Sequence, residues 1–213
     1  MNVEECIKTR RSVRKYLDKA VEWGKIAKIL DAGRFAPSAG NLQNWKFVVV
    51  KKEDVRKKIS EAAFNQEWME NAPIHIVIVG EPDKAARFYG VRGERLYTLQ
   101  NCAIVAENMM LVANEVGLGS CWVGAFDESK VKRVLNMPEG VVPYVIIPIG
   151  YAGEKPEMPS RVELEHTVYI DRWGGKGQGY VAKGYTSFAI KEAIDNTRKA
   201  LDKVSKKLNK KKE

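Results

Sequence analysis

Histidine is almost absent from this chain, His75 and His166 being its only two. No Ser-His-Asp or Cys-His set can be assembled, and no pair of carboxylates stands out, so side-chain acid-base catalysis has little to work with. His75 sits inside an apolar run and reads as a core histidine. Cysteine is scarce too. Cys6, Cys102 and Cys121 are odd in number, have no C-x-x-C spacing and form no Cys/His cluster; reduced core thiols are expected, with no metal. No apolar run reaches the roughly 18 residues that would suggest a membrane span. The opening Met1-Asn2-Val3-Glu4-Glu5 carries no apolar signal region, and a cytoplasmic protein without a membrane partner is the expectation. No G-x-G-x-x-G follows the first apolar strand, which disfavours a Rossmann dinucleotide site. The run Gly174-Gly175-Lys176-Gly177-Gln178-Gly179 follows no strand and lacks a Gly-Lys-Ser/Thr, so it reads as a flexible linker and not a phosphate loop.

What is present is an ordinary globular composition. The chain has 213 residues, 45 % hydrophobic and 30 % charged, enough for one domain with a real core. Its net charge of +9 is unevenly placed: eight basic and two acidic residues lie between Arg198 and Glu213, so that segment alone carries +6. The body is nearly balanced. The charge describes a tail more than a nucleic-acid-binding face, and nucleic acid is not the expected partner.

Asn2 can cap a short first helix, strengthened by Glu5 at the third helical position. Asp18 to Arg34 reads as a second helix with Trp23, Ile26, Ala27, Ile29 and Leu30 inward, stopped before Pro37. Trp45–Val50 and Ile74–Gly80 read as strands, with an amphipathic helix, Glu53 to Phe64, between them. Pro82 to Gly93 reads as a connection. Arg95 to Val116 is the longest expected helix of the body, apolar on more than one face, which calls for a partner subunit over one of them. Gly117 and Gly119 end it. Ser120–Val123 is a short third strand and Glu128–Leu135 a short helix. Pro143–Gly150 is a fourth strand, in which Pro148 suggests an edge or a bulge. Thr167–Ile170 could add a strand. Ser187–Leu208 reads as a final helix whose Ile190, Ile194, Thr197, Leu201, Val204 and Leu208 form an apolar seam.

Two stretches stand out. Arg10-Arg11-Ser12-Val13-Arg14-Lys15-Tyr16 gathers three guanidinium groups, a lysine and a hydroxyl. A helical turn would set Arg10 and Arg14 on one face, and guanidinium forks suit a phosphate; taken alone, a solvated basic turn is the plainer reading. Ala36-Pro37-Ser38-Ala39-Gly40-Asn41-Leu42-Gln43-Asn44-Trp45 leads from a helix into a strand. A phosphate clamp with few reactive side chains points to a cofactor that carries the chemistry.

An R-R-S-x-R followed by a P-S-x-x-N-x-Q-x-W resembles the FMN-dependent nitroreductase family, whose members are NAD(P)H:flavin oxidoreductase-like. Phe64-Asn65-Gln66, Gly117-Leu118-Gly119 through Phe126, and Pro159-Ser160-Arg161 extend the likeness over residues 1–173. Residues 174–213 fall outside it, as a C-terminal extension of Gly-rich linker and Lys-rich amphipathic helix. The resemblance implies an α+β fold, a three-layer α/β/α sandwich with a mixed, mostly antiparallel sheet, built as an intertwined homodimer with shared active sites. It also implies FMN as cofactor, NAD(P)H as co-substrate delivering hydride to flavin N5, and a small electron-poor acceptor such as a nitroaromatic or quinone. A specialised enzyme of the same fold, dehalogenase-like or biosynthetic, is the alternative. A nucleic-acid-binding or scaffold protein driven by the basic tail is another.

Carried over residue by residue, Arg10 matches the phosphate-binding arginine, Ser12 a partner of the ribityl-phosphate, and Arg14 a basic position near flavin N1 and the C2 carbonyl. Arg11 reads equally as a surface arginine. Pro37, Ser38, Ala39, Gly40 and Asn41 match the loop that reaches the flavin from the other subunit. Asn65 matches an amide at the ring edge, although by itself it reads as well as a helix C-cap. The backbone of Val123 and Gly124 matches the N–H that points at N5, and Arg161 a late arginine on the phosphate. No side chain is expected to act as a catalytic acid or base. Asn44 stands where many members have proline, which implies a less rigid loop. Val123 replaces an acidic residue of some members, which makes the substrate face more apolar.

Overall fold

Alternate residues of the central strands enter two different cores. In the computed structural model, which describes residues 1–175, β1 (Trp45–Val50) and β2 (Ile74–Gly80) form over their expected ranges. They join β3 (Gly119–Ser120) and β4 (Val142–Gly150) in a sheet of order β1-β2-β4-β3. Ile74, Ile76 and Ile78 pack with Val145, Ile147 and Ile149 on one face, while Val77, Val79 and Ile146 enter the other. This is the period of a strand, and it means that the sheet is covered on both sides.

The first face is closed by α2 (Trp23–Arg34) and α5 (Thr98–Glu115), through Ile26, Ile29, Val105 and Met109. The second is closed by α3 (Glu53–Ala62) and α6 (Glu128–Val134), through Ile59, Ala62 and Val131. Fully burying one such isoleucine or valine contributes about 1.5–3 kcal/mol. All three ladders are antiparallel, and one parallel bridge, Ser12 to Ser120, makes the sheet mixed. The fold is therefore an α+β three-layer sandwich.

Local chemistry sets the helix ends. Asn2 Oδ1 accepts the Glu5 N–H at 2.9 Å and starts α1 (Val3–Thr9). α5 ends on Gly117 at φ +78°, where the Gly117 and Leu118 N–H groups return to the carbonyls of Asn114 and Ala113 at 3.1 and 2.8 Å; that left-handed closure suits glycine.

Several expectations need correction. α2 begins at Trp23 and not at Asp18, because the chain before it is tied to the end of β4, with the Leu17 N–H on the Tyr151 carbonyl. Trp23 and Ala27 are exposed and not inward. Pro82 to Gly93 is a helix and not a connection: α4 spans Pro82–Arg92, with its proline in the first turn, where a missing N–H costs nothing. Gly90 breaks its last turn at φ +56°. One turn of π-helix, Gly93–Tyr97, precedes α5, which starts at Thr98 and not at Arg95. The third strand is two residues long, followed by a single bridge from Val123 to Ile146. Pro148 lies at neither an edge nor a bulge. It stands opposite His75 inside the sheet, on the side where the ladder to β3 has already given way; the register shift falls at Ile78/Val79 instead. Thr167–Ile170 forms no strand, and a 3-10 turn, Leu164–His166, precedes it. His75 is a core histidine, as expected, and all three cysteines are buried and free.

Residues 1–158 form one compact unit, and 159–175 belong to a second. The expected linker beyond Gly175 and the helix Ser187–Leu208 lie outside the described residues. Among the described residues, no helix is long and apolar enough to cross a membrane.

Candidate functional site

The basic stretch is not a helical turn. Arg10 caps the end of α1, and the chain then runs extended along the open edge of β3. The Val13 N–H donates to Ser120 O at 3.0 Å, and Tyr16 bridges Ala152 beyond β4. Glu154 Oε1 accepts the backbone N–H groups of Arg14 and Lys15 at 2.6 and 3.0 Å. Extended chain alternates its sides. Val13 is buried, so its neighbours Ser12 and Arg14 stand on the opposite side from it, whereas Arg10 lines a cavity together with Val13. Ser12 and Arg14 share a face by strand geometry and not by helix geometry, and Arg10 stands just before them at the end of α1.

Arg10 and Arg11 line a cavity of about 370 Å³ with Asn114, the turn Gly117–Ser120 and Lys155. Arg10 Nε is buried without a hydrogen-bond partner among the described residues, and Glu107 Oε1 stands 3.8 Å from it in an ion pair. Arg11 folds back instead: its Nη1 donates to the carbonyls of Lys8 and Arg10 at 2.7 and 2.8 Å. Cys121 lies close behind Ser12. Burial pushes its thiol pKa up, against the opposing pull of Arg14 and of the Ser12 hydrogen bond. It is therefore a protonated core thiol and not a nucleophile.

Further along the same edge, Arg14 sits over the Trp68 ring, with 5.7 Å from Cζ to the centroid. Phe64 and Asn65 are both left-handed, at φ +58° and +56°. Gln66 Nε2 donates to Ala63 O and Ala125 O at 2.9 and 3.1 Å, which ties the Asn65 turn to the segment after Val123. The Val123 N–H is engaged by Ile146 O at 2.9 Å. It cannot also serve a ligand; the Gly124 N–H, with no acceptor among the described residues, can. The structure thus brings Arg10, Arg11, Ser12, Arg14, Asn65, Val123 and Gly124 to one edge of the sheet.

The loop Pro37–Asn41 is elsewhere. The Ala39 N–H donates to Asn101 Oδ1 at 3.1 Å, whereas α1 is held by Asn114, whose Nδ2 reaches Cys6 O at 3.2 Å. These two amides are thirteen residues apart on α5, about 20 Å. The side chain of Arg10 reaches only to Glu107, about 9 Å along the axis from Asn101 and a third of a turn round it. The loop and the basic segment therefore meet α5 at different places in one chain. Arg161 belongs to the second unit, where its Nη1 donates to Pro159 O and Ser160 O, each at 3.3 Å.

Sequence reasoning missed Glu154, Trp68 and Asn101 as supports of these segments. Each acts on a residue far away in the chain, and no local motif marks it. Gln66 is the exception, since it adjoins Asn65.

Residues 7–66 and 60–151 match the model of the nitroreductase family. The chain belongs to the nitroreductase family. A protein of Methanothermobacter thermautotrophicus, provisionally named NADH dehydrogenase/NAD(P)H nitroreductase, is 36 % identical over 176 residues, 78 % of this chain and 87 % of that one. A nitroreductase family protein of Clostridium difficile 630 is 34 % identical and superposes with a TM-score of 0.70, over 81 % of this chain and 99 % of that one. An FMN-dependent nitroreductase of Clostridium difficile R20291 superposes at 0.69 with 29 % identity, over 79 % and 99 %. This nitroreductase-family chain and the two solved relatives share a fold over about four-fifths of its length.

Proposed function

We propose that the chain is a cytoplasmic FMN-dependent oxidoreductase that takes electrons from NAD(P)H and passes them to an electron-poor acceptor, such as a nitroaromatic or a quinone. The observation that carries the reading is the buried Nε of Arg10, which has no hydrogen bond among the described residues and only a 3.8 Å ion pair to Glu107, beside an open basic cavity in a nitroreductase-family chain. A buried guanidinium nitrogen without an acceptor is unfavourable, and an anion completes it. The FMN phosphate fits that need. Arg10 and Ser12 would hold it, and Arg11 less directly because two carbonyls already occupy part of its fork. Asn65 and the Gly124 N–H would meet the polar ring edge, and Arg14 would place positive charge beside it. Bound FMN would supply hydride chemistry at its N5. The protein's part is to keep these donors aimed and the ring positioned. In the test, the purified protein is yellow, releases FMN on denaturation, and oxidises NADH or NADPH when an acceptor panel is offered. A colourless protein that takes up no added FMN refutes the reading.

The same reading places each site between two copies of the chain. Arg10, Ser12 and Arg14 would come from one, and Pro37, Ser38, Ala39, Gly40 and Asn41 from the other, in keeping with the separate places at which the two sets meet α5 within a single chain. Exposed apolar side chains on α1 and α5 (Val3, Ile7, Leu99 and Ile104) support a partner there. Complementation tests it. One variant carries Arg10→Ala with Arg14→Ala, the other bulky substitutions at Ser38 and Gly40. Each homodimer should be nearly colourless, whereas the mixed dimer holds one intact site and recovers about half of the flavin. Purified mixed dimers that stay empty, or a stable monomer that holds FMN, exclude a shared site.

A further inference from the structure

Behind the Pro37–Asn41 loop lies a closed chain of buried amides. Asn44 and Thr98 have no exposed surface, and Asn101 has 3 %. Thr98 Oγ1 donates to Gly93 O at 2.8 Å, and therefore accepts from Asn44 Nδ2, at 2.9 Å. Asn44 Nδ2 also donates to Glu81 O at 3.1 Å. Asn44 Oδ1 accepts from Asn101 Nδ2 at 2.8 Å, and Asn101 Oδ1 accepts the Ala39 N–H at 3.1 Å. Every donor along this path has an acceptor. The path joins the loop to the residue before α4, to the residue after it, and to α5.

The loop that it holds is strained. Gly40, Asn41 and Gln43 all have left-handed φ, at +55°, +54° and +47°. Asparagine and especially glutamine adopt this region only where the surroundings impose it. Ser38 Oγ accepts the Gln43 N–H at 3.0 Å and holds part of that shape. A Cβ at Gly40 would collide with Tyr89 Oη, so α4 also presses on the loop from outside. A proline at position 44 would drive Gln43 out of the left-handed region. Asn44 makes three side-chain hydrogen bonds where a proline would supply a ring constraint.

We infer that Asn44, Thr98 and Asn101 are positioning residues: they fix the Pro37–Gln43 loop in its ligand-ready shape and couple it to α4. The inference rests on the reading of that loop as flavin-facing. Its mechanism is pre-organisation: a loop already held in its bound form loses less freedom when the ligand arrives.

Hydrogen exchange of the protein without FMN, read by peptide, tests it together with FMN titration. Asn101→Ala strands the Ala39 N–H and Asn44 Oδ1. Exchange over residues 37–43 should rise at least tenfold, exchange over 81–97 should rise with it, and β2 peptides should be unchanged. FMN should bind at least fivefold more weakly, with kcat less affected than cofactor affinity. Thr98→Val nearly conserves volume and guards against a variant that fails to fold; it should move both segments in the same direction by about threefold. Ile26→Val, a core truncation on α2, should lower the melting temperature without changing FMN affinity. Unchanged loop exchange in Asn101→Ala, or a uniform rise across the chain, overturns the inference. If wild-type protein binds FMN and Asn101→Ala binds it equally well, only this inference falls. If wild-type protein binds none, the flavin reading falls, and the exchange data still decide whether the network holds the loop.

Discussion

The best-defined stability prediction concerns His75, which is fully buried in β2 between β1 and β4. Its Nε2 lies 2.9 Å from Met69 O, which fixes the proton on that nitrogen. Nδ1 is buried and has no hydrogen-bond partner among the described residues. A second proton would have to sit there, without water and near the Arg56 guanidinium. Burial, the largest cause, and Arg56 together bring the pKa from 6.5 down to about 4, against the smaller upward pull of the Met69 carbonyl. Below pH 6.5 the unfolded chain therefore binds a proton that the folded chain refuses. The stability at issue is complete above pH 6.5 and declines as pH falls toward 4. At 1.36 kcal/mol per pKa unit the full loss approaches about 3 kcal/mol, and about 2 kcal/mol is already gone at pH 5. Against a typical total of about 5–15 kcal/mol, that is a large share.

The perturbation is His75→Phe, which keeps a flat ring and cannot titrate. It removes the bond to Met69 O and should cost about 1 kcal/mol at any pH. Urea unfolding followed by tryptophan fluorescence at pH 7.5 and pH 5.0 supplies the comparison, with free FMN held equal because a ligand of the folded state adds its own increment. The surface carboxylates titrate alike in both proteins and cancel. Wild-type protein should lose about 2 kcal/mol more than the variant between the two pH values. Equal losses would show that His75 is not the group that links folding to pH.

Three further outcomes are expected. Arg10→Ala should weaken FMN binding about ten- to a hundredfold, since a charge-assisted contact contributes roughly 1.5–3 kcal/mol; an unchanged dissociation constant removes Arg10 from the site. Gly40→Ala should lose FMN through both its φ and the Tyr89 hydroxyl, and adding Tyr89→Phe should recover part of the binding; no recovery would mean that the backbone conformation alone forbids the methyl group. Truncation after Asn209 should leave FMN binding intact, whereas a steeply salt-dependent affinity for DNA or RNA that vanishes with Lys210, Lys211 and Lys212 would favour a nucleic-acid role for the tail.

Strands and helix caps were legible because their causes are local. The runs Trp45–Val50 and Ile74–Gly80 are β-branched, bounded by turn formers, and long enough for a strand but too short for a helix. Asn2 with Glu5, and Gly117 after a periodic run, carry their meaning within four residues. α4 was hidden by the same local reasoning: Pro82 and Gly90 look like breakers, yet one occupies the first turn, where proline fits, and the other the last. The start of α2 was misplaced because the residues before Trp23 answer to Tyr151, more than a hundred positions on. Pro148 misled for a related reason. Its place in the sheet depends on how far β3 pairs, which no feature of β4 reveals.

The candidate site divides along the same line. Arg10, Ser12, Arg14 and Asn65 were legible as residue types in a motif, but the helical spacing paired Arg10 with Arg14, whereas the extended chain pairs Ser12 with Arg14. What holds them was not legible. Glu154 is one glutamate among many, and only the ribbon Tyr16–Ala152 brings its carboxylate onto the Arg14 and Lys15 N–H groups. Val123 and Gly124 looked equivalent as backbone donors until the bridge to Ile146 took the first and left the second. Asn44 and Asn101 are separated by 57 positions, and each alone reads as a polar residue in an awkward place. One bond between them, from Asn101 Nδ2 to Asn44 Oδ1, links the two amides inside a core where an unpaired amide costs about 1–3 kcal/mol. A polar residue in a predicted core is therefore informative about a site once its partner is found, and the partner here is supplied by tertiary structure, because no helix or strand period connects position 44 to position 101.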